Sequence, residues 1–156
     1  MYDREEELRN KLNKSLIEVL SIPLKDYVST LSIDNLINLK KVLSDINNTI
    51  TLRLTLTFVK VIATKFQLSE PDTIIIRKSV LGTKPNTNGY DIDLETPIDV
   101  LAEVKCNIPI NNKSKYGSNQ RVGIIKDLMG LKNGKTKVAT RDSAFKFMVL
   151  YDRPRV

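Results

Sequence analysis

The sequence predicts an α+β protein in which helices come first and a β-sheet follows. Two observations lead to this fold class. Apolar residues recur at helical spacing through the first third of the chain, and around Thr96-Pro97 they alternate with acidic residues as in a hairpin. We therefore expect an N-terminal helical segment over residues 1–48 and a core domain over residues 49–156.

The N-terminal segment is predicted to contain two main helices. Residues 3–20 carry an apolar stripe that includes Leu8 and Leu12, and their acidic start suits the helix dipole. A short helical piece is expected around residues 24–31. Ser32-Ile33-Asp34 predicts the start of a second helix, which we expect to end at Asn47-Asn48. Packing in a small bundle explains the stripe better than dimerisation or DNA contact does.

The next two segments have conflicting or continuous apolar patterns. Residues 51–58 alternate with period 2 and are rich in threonine, but Leu54, Phe58 and Val61 also fit a helical stripe. Both helix and strand remain open for residues 49–66 on this pattern. Residues 73–80 contain the triplet Ile74-Ile75-Ile76, which is typical of a strand covered on both faces. We expect this to be the first strand of the sheet.

Residues 89–105 predict a β-hairpin that carries acidic side chains. Asp91 and Asp93 lie on one face of its first strand, and Glu103 and Lys105 lie on one face of its second. With a turn near Pro97, Asp91 would lie opposite Glu103, with Cβ atoms roughly 5 Å apart. Two carboxylates would then face each other beside a lysine.

Facing carboxylates repel each other, so this arrangement favours a bound cation. Mg²⁺ suits the site because it takes oxygen ligands from one or two carboxylates and leaves the rest of its shell to water and phosphate. The nearby lysine could bind an attacking water or help to deprotonate it. This set of groups predicts metal-assisted phosphodiester hydrolysis.

A basic helix and a final strand follow the hairpin. Ser118 predicts a helix start, the helix runs to about Leu131, and Gly134 ends it. Residues 144–151 predict a strand. Between Lys105 and Arg141 the chain has nine lysine or arginine residues against one acid, Asp127. The side chains predicted to bind phosphates without reading sequence are Lys113, Lys115, Arg121 and Lys126.

Asp91, eleven intervening residues and then Glu103-Val104-Lys105 resemble the motif of the PD-(D/E)xK nuclease superfamily. This resemblance implies a restriction endonuclease-like αβββαβ core with a mixed central sheet, and it favours a helix over residues 49–66. It also implies a Mg²⁺-dependent DNA nuclease, for which Mn²⁺ can substitute. Asp91 and Glu103 would be metal ligands and Lys105 the catalytic lysine. The sequence departs from the pattern in that no proline precedes Asp91.

Two further residues enter through the same resemblance. Asp93 is a rival or additional metal ligand, because it lies on the same strand face as Asp91. Many members of the superfamily place a glutamine or lysine on the helix after the catalytic strand, and Gln120 has that position here. On sequence grounds alone, a glutamine on a helix surface is more often simply solvated.

Composition narrows the possible chemistry. The chain has 156 residues, a formal net charge of +7 and no histidine, and Cys106 is its single cysteine. These counts exclude serine-histidine and cysteine-histidine nucleophiles, histidine-ligated zinc and an internal disulfide. The positive charge favours a polyanionic partner. An acidic opening and the lack of a long apolar run predict a cytoplasmic protein without membrane contact.

The leading hypothesis is an endonuclease of the restriction type, with a repair or recombination nuclease such as a junction resolvase as the alternative. A protein with the same fold could instead bind nucleic acid without cutting it. In the simplest alternative, Glu103 and Lys105 form an exposed ion pair of little energetic weight. A homodimer would suit cleavage of both strands of a duplex, and a larger partner could supply specificity.

Overall fold

A computed structural model of the protein describes residues 3–83, 89–109 and 115–151. These residues form an α+β arrangement, which confirms the predicted class. Their elements are α1 (Arg4–Leu20), α2 (Ile33–Lys65), α3 (Glu70–Gly82), β1 (Ile92–Leu94), β2 (Val100–Lys105), α4 (Ser118–Asn133) and β3 (Phe145–Leu150). The chain divides into two compact units, Met1–Asp45 and Ile46–Val156.

The first unit contains α1 and the start of α2. Asp3 caps α1 by accepting hydrogen bonds from the backbone N–H groups of Glu5 and Glu6. The buried Asn13 accepts hydrogen bonds from the backbone N–H groups of Tyr27 and Val28. Residues 24–31 therefore form turns held to α1, and the helical piece predicted there is wrong.

Helix α2 settles the ambiguity of residues 49–66 in favour of a helix. It continues through Asn47-Asn48, so the predicted helix end there is wrong. The alternating threonines are compatible with a helix because their hydroxyls donate to backbone carbonyls one turn earlier: Thr55 to Thr51 O at 2.8 Å and Thr57 to Arg53 O at 2.9 Å. None of the helices in the described part of the chain has the length and apolar character needed to cross a membrane.

The strand predicted over residues 73–80 is wrong, because these residues belong to helix α3. Ser69 caps this helix by accepting from the backbone N–H of Asp72, and a proline lies in its first turn. Only Ile76 and Val80 are buried in it, and they lie four residues apart on one helical face. Local capping and this spacing thus prevail over the strand preference of the isoleucine triplet.

The sheet has the strand order β1-β2-β3 and is mixed. Strands β1 and β2 are antiparallel, with Ile92 paired to Ala102, whereas β2 and β3 are parallel, with α4 in the connection between them. Because residues 73–80 are helical, the described sheet has one strand fewer than the predicted core. The predicted final strand is confirmed as β3.

Apolar side chains cover both faces of the sheet, and β2 is buried almost throughout. One face packs against α2 and α3, with Val59, Ile62, Ile76, Val80, Ile92, Leu94, Val100 and Ala102 in one cluster. The opposite face forms a smaller cluster of Tyr90, Leu101, Leu131 and Ala144. Side chains on this second face of β2 therefore point toward α4.

The helix α4 begins and ends close to the predicted positions. Its N-cap is Gly117 rather than Ser118, which is the first helical residue. Gly134 ends it with a φ of 89°, a left-handed conformation that favours glycine, and a Cβ there would meet the backbone N of Thr140 at 3.1 Å. This turn directs the following residue, Lys135, back toward the sheet.

Candidate functional site

Alternation along β2 brings two charged residues to the α4 side of the sheet. Leu101, Glu103 and Lys105 share this face, and Leu101 is buried in the smaller apolar cluster. Continuing the β1–β2 register by one residue beyond Ile92 and Ala102 puts Asp91 level with Glu103. The hairpin therefore brings Asp91 and Glu103 to the same end of the sheet, as the sequence predicts.

These residues line a cavity of about 470 Å³ in the second unit. Four residues predicted for the site line it together: Asp91, Glu103, Lys105 and Gln120. The other lining residues come from α2 and from the end of β2 and the segment after it: Asn47, Thr51, Val104, Cys106, Asn107 and Ile108. Sequence reasoning did not place any residue of α2 at the site.

Asp91 is a partly buried carboxylate on the cavity. Its Oδ2 accepts a hydrogen bond of 2.7 Å from the backbone N–H of Val104. Burial raises the pKa of Asp91 above its ordinary value, against the lowering effects of that hydrogen bond and of Lys105 and Lys135. Within the described ranges it has no ion-pair partner, so its negative charge is compensated only at a distance.

Glu103 is the most buried charged residue of the site, with 4% of its surface exposed. Its Oε1 forms an ion pair with Nζ of Lys135. Burial raises the pKa of Glu103, and the nearby charges of Asp91 and Asp127 act in the same direction. Lys135 opposes this rise and favours the ionised carboxylate.

The ammonium group of Lys135 occupies a defined position that the sequence did not reveal. Besides Glu103, it contacts the backbone carbonyl of Gly89 at 2.6 Å and lies 5.0 Å from the centre of the Tyr90 ring. Its aliphatic stem passes close to Gly130, where a Cβ would meet Lys135 Cγ at 3.1 Å. No spacing rule links Lys135 to Glu103, because the contact depends on the turn after α4.

Lys105 is paired with Asp127, the single acid of the basic segment. Their Nζ and Oδ2 atoms lie 2.5 Å apart, and the side chains are 27% and 16% exposed. Burial alone would lower the pKa of Lys105, but the hydrogen bond and charge of Asp127 outweigh it and raise the pKa. Lys105 is therefore held as an ammonium group. The alternative of an exposed pair between Glu103 and Lys105 is wrong, because each of these residues forms a partly buried ion pair with another residue.

Gln120 contributes to the cavity wall through a fixed side chain. Its Nε2 donates to the backbone carbonyl of Ile108 at 2.9 Å, and its Oε1 accepts from the backbone N–H of Gly117 at 2.9 Å. Both ends of the amide are thus used to join the start of α4 to the segment after β2. This role is structural, and it keeps Gln120 beside the predicted metal ligands.

Asp93 lies outside this group. Its Oδ1 pairs with Nη1 of Arg141 at 2.6 Å, and the same guanidinium contacts Asp99 at 2.8 Å and the backbone carbonyl of Leu94 at 2.8 Å. Ser143 donates a further hydrogen bond to Asp99. These contacts join β1 and the hairpin turn to the start of β3, and Asp93 does not line the cavity.

The residues predicted to bind phosphates are exposed where the structure describes them. Lys115, Arg121 and Lys126 have exposed side chains, and no ion pair engages them within the described residues. Lys113 lies outside the described residues. The segment before α4 and the first nine residues of α4 therefore present exposed positive charge next to Gln120 and Asp127 in the sequence.

Two carboxylates of the cavity have the chemistry that a hard divalent ion requires. Glu103 is buried and Asp91 partly buried, the charge of Asp91 helps to raise the pKa of Glu103, and Asp91 lies level with Glu103 in the register of the two adjacent strands. In the described residues, no group of three or more histidine, cysteine, aspartate or glutamate side chains is arranged to hold a metal. A two-carboxylate set still fits Mg²⁺, which keeps several waters and takes the remaining ligands from substrate phosphate.

Comparison of the chain with protein-family models, with curated proteins and with solved structures gave no match.

Proposed function

We propose that this chain is a Mg²⁺-dependent endonuclease that hydrolyses phosphodiester bonds in DNA. The proposal rests on one observation: Asp91, Glu103 and Lys105 line the same cavity. Burying two acids costs free energy, and a site that only binds phosphate gains nothing from negative charge at the point of contact. A cation that joins the acids to a phosphate group would offset that cost.

Each residue has a distinct role in this proposal. Asp91 and Glu103 would hold Mg²⁺, or Mn²⁺ as its substitute, and the bound ion would supply Lewis-acid polarisation of the phosphate. Lys105 acts as a hydrogen-bond donor and positive charge beside the reacting phosphate, because Asp127 keeps its pKa raised. This makes Lys105 a poor general base, which narrows the role expected from the sequence to orienting water or stabilising charge.

The substrate class follows from charge. The chain carries a net charge of +7, and Lys115 before α4 and Arg121 and Lys126 on α4 are exposed. Such groups attract a polyanion without reading its sequence, as a nuclease needs for initial binding. The first unit, Met1–Asp45, or a larger partner protein would then have to supply any sequence preference.

A restriction endonuclease-like core and a homodimer belong to the same proposal. The antiparallel hairpin, the α4 connection and the parallel β3 support such a core, although it has one strand fewer. Leu36, Leu39 and Leu43 on α2 are exposed and are spaced by three and four residues. This spacing is typical of helices that pair with an identical helix, which supports a second copy as partner.

A second candidate is a nucleic-acid-binding protein that does not cut. The observation that favours it is the pairing of both lysines: Lys105 with Asp127 and Lys135 with Glu103. These pairs already compensate much of the acidic charge. The basic surface would then be the functional part of the molecule.

Incubation with DNA in the presence of Mg²⁺ or Mn²⁺ separates the candidates. Supercoiled, linear and branched DNA would each be tested with the wild type, Asp91→Asn and Lys105→Met, with Lys137→Met as a matched control for loss of one exposed lysine. We expect metal-dependent cleavage that Asp91→Asn lowers by about 10²-fold or more. Preference for branched over linear DNA would favour a junction resolvase over a restriction-type enzyme.

Each contrary result has a definite meaning. DNA binding without cleavage by the wild type, on all three substrates and with both ions, would favour the non-cutting protein. Cleavage that survives in Asp91→Asn would show that the cavity is not the active centre. Weak cleavage in Lys137→Met as well as Lys105→Met would assign the effect of Lys105 to general loss of DNA affinity.

A further inference from the structure

Lys135 contacts the carboxylate that the proposed function assigns to the metal ion. Its Nζ lies against Oε1 of Glu103 and the carbonyl of Gly89, and the lysine side chain is 19% exposed. The stem packs closely against Gly130, where a Cβ would lie 3.1 Å from Lys135 Cγ. These contacts come from three separate parts of the chain, so Lys135 is held in place and does not simply extend into solvent.

The charges of the site show what this contact does. Three carboxylates, Asp91, Glu103 and Asp127, lie near two ammonium groups, Lys105 and Lys135. Lys105 is occupied by Asp127, so Lys135 is the cation directly paired with Glu103. A divalent ion bound by Glu103 and Asp91 would have this ammonium group as a close neighbour of like charge, within a region poorly screened by water.

We infer that Lys135 competes with the metal ion for Glu103 and thereby lowers the affinity of the site for divalent cations. The inference rests on the proposed function, because it takes Asp91 and Glu103 as the metal ligands. In the metal-free protein Lys135 compensates the charge of Glu103. When an ion binds, Lys135 loses part or all of that contact.

Direct metal titration tests this inference without any measurement of cleavage. Calorimetric titration with Mn²⁺ would compare the wild type with Lys135→Met, which removes the charge, and Lys135→Arg, which keeps it. Lys137→Met is the matched control, because Lys137 is an exposed lysine of the same loop. We expect Lys135→Met to tighten Mn²⁺ binding by about tenfold or more, and the two other variants to stay within about threefold of the wild type.

Lys135→Met leaves Glu103 buried without its cation, so a second measurement uses the wild-type protein itself. Nuclear magnetic resonance signals of lysine ammonium groups would be recorded with increasing Mg²⁺, with Lys135 assigned by its loss in Lys135→Arg. We expect the Lys135 signal to shift or disappear as the ion binds, while the Lys137 signal stays unchanged. An unchanged Lys135 signal under conditions of proven Mg²⁺ binding would overturn the inference.

Failure of the inference and failure of the proposed function give different results. If the wild type binds Mn²⁺, Asp91→Asn does not, and Lys135→Met binds with wild-type or weaker affinity, the metal site stands and the competition is refuted. If neither the wild type nor Lys135→Met binds Mn²⁺, the proposed metal site and the inference that depends on it are both refuted.

Discussion

Replacement of Asp127 by asparagine should destabilise the protein by about 2 kcal/mol. The change keeps the shape of the side chain and removes the charge that faces Lys105 at 2.5 Å. At an effective dielectric of about 20, the Coulomb attraction at this distance is about 7 kcal/mol, most of which the desolvation of the two groups offsets. The pair is mostly buried, so its loss should cost more than that of a surface pair and less than that of a fully buried one.

Urea unfolding followed by circular dichroism would measure this cost. A change of about 2 kcal/mol corresponds to a melting temperature lower by about 4–8 °C for a chain of this size. The matched control is Asp142→Asn, which removes an acid from a pair in which Asp142 is fully exposed and 4.0 Å from Lys146. The control should leave stability unchanged within error.

A double-mutant cycle assigns the effect to the pair. Asp127→Asn and Lys105→Met should be strongly non-additive, with a coupling free energy of about 1 kcal/mol or more. If the two changes add within error, or if Asp127→Asn behaves like Asp142→Asn, Asp127 does not hold Lys105 and the raised pKa of that lysine loses its explanation.

Two further predictions concern the same side of the sheet. Tyr90→Phe should cost only about 1 kcal/mol in unfolding free energy, because the carbonyl of Gly130 that accepts from the Tyr90 hydroxyl also accepts from the backbone N–H of Gly134; a loss above about 3 kcal/mol would refute this. The stability that the Lys105 pair contributes should also depend on pH. Since the folded pKa of Lys105 is raised above its ordinary value of 10.5, this stability is fully present below that value and is lost as the pH rises through the folded pKa. The unfolding free energies of the wild type and Asp127→Asn should therefore converge above about pH 10.5, and a constant difference would contradict this cause.

Local patterns predicted the hairpin side of the site well and the helices around it less well. Alternation of acidic and apolar residues was enough to place Asp91 level with Glu103, because strand register follows from the apolar face and the turn. A continuous apolar run gave the wrong prediction at Ile74-Ile75-Ile76. There the N-cap at Ser69 and the burial of Ile76 on one helical face stabilise a helix. The preference of isoleucine for strands carries no information about either feature.

Helix α2 shows why the period of a segment can be ambiguous. Threonine and leucine alternate over residues 51–58, which favours a strand, yet the buried residues Thr55, Val59 and Ile62 follow helical spacing. The choice depends on which face meets the sheet. That information comes from packing against β1 and β2, and a single sequence does not contain it directly.

The sequence by itself limited the chemistry that is possible here: without histidine and with one cysteine, catalysis would have to use carboxylates, lysine, tyrosine, serine or a hard metal ion. It also determined the hairpin that brings Asp91 and Glu103 together. Only the tertiary structure decided which amine compensates which acid. Lys105 forms an ion pair with Asp127, and Lys135 forms one with Glu103. The physical reason is that ion pairs depend on distances below about 4 Å between side chains, and such distances between residues far apart in the chain are set by helix packing and turns.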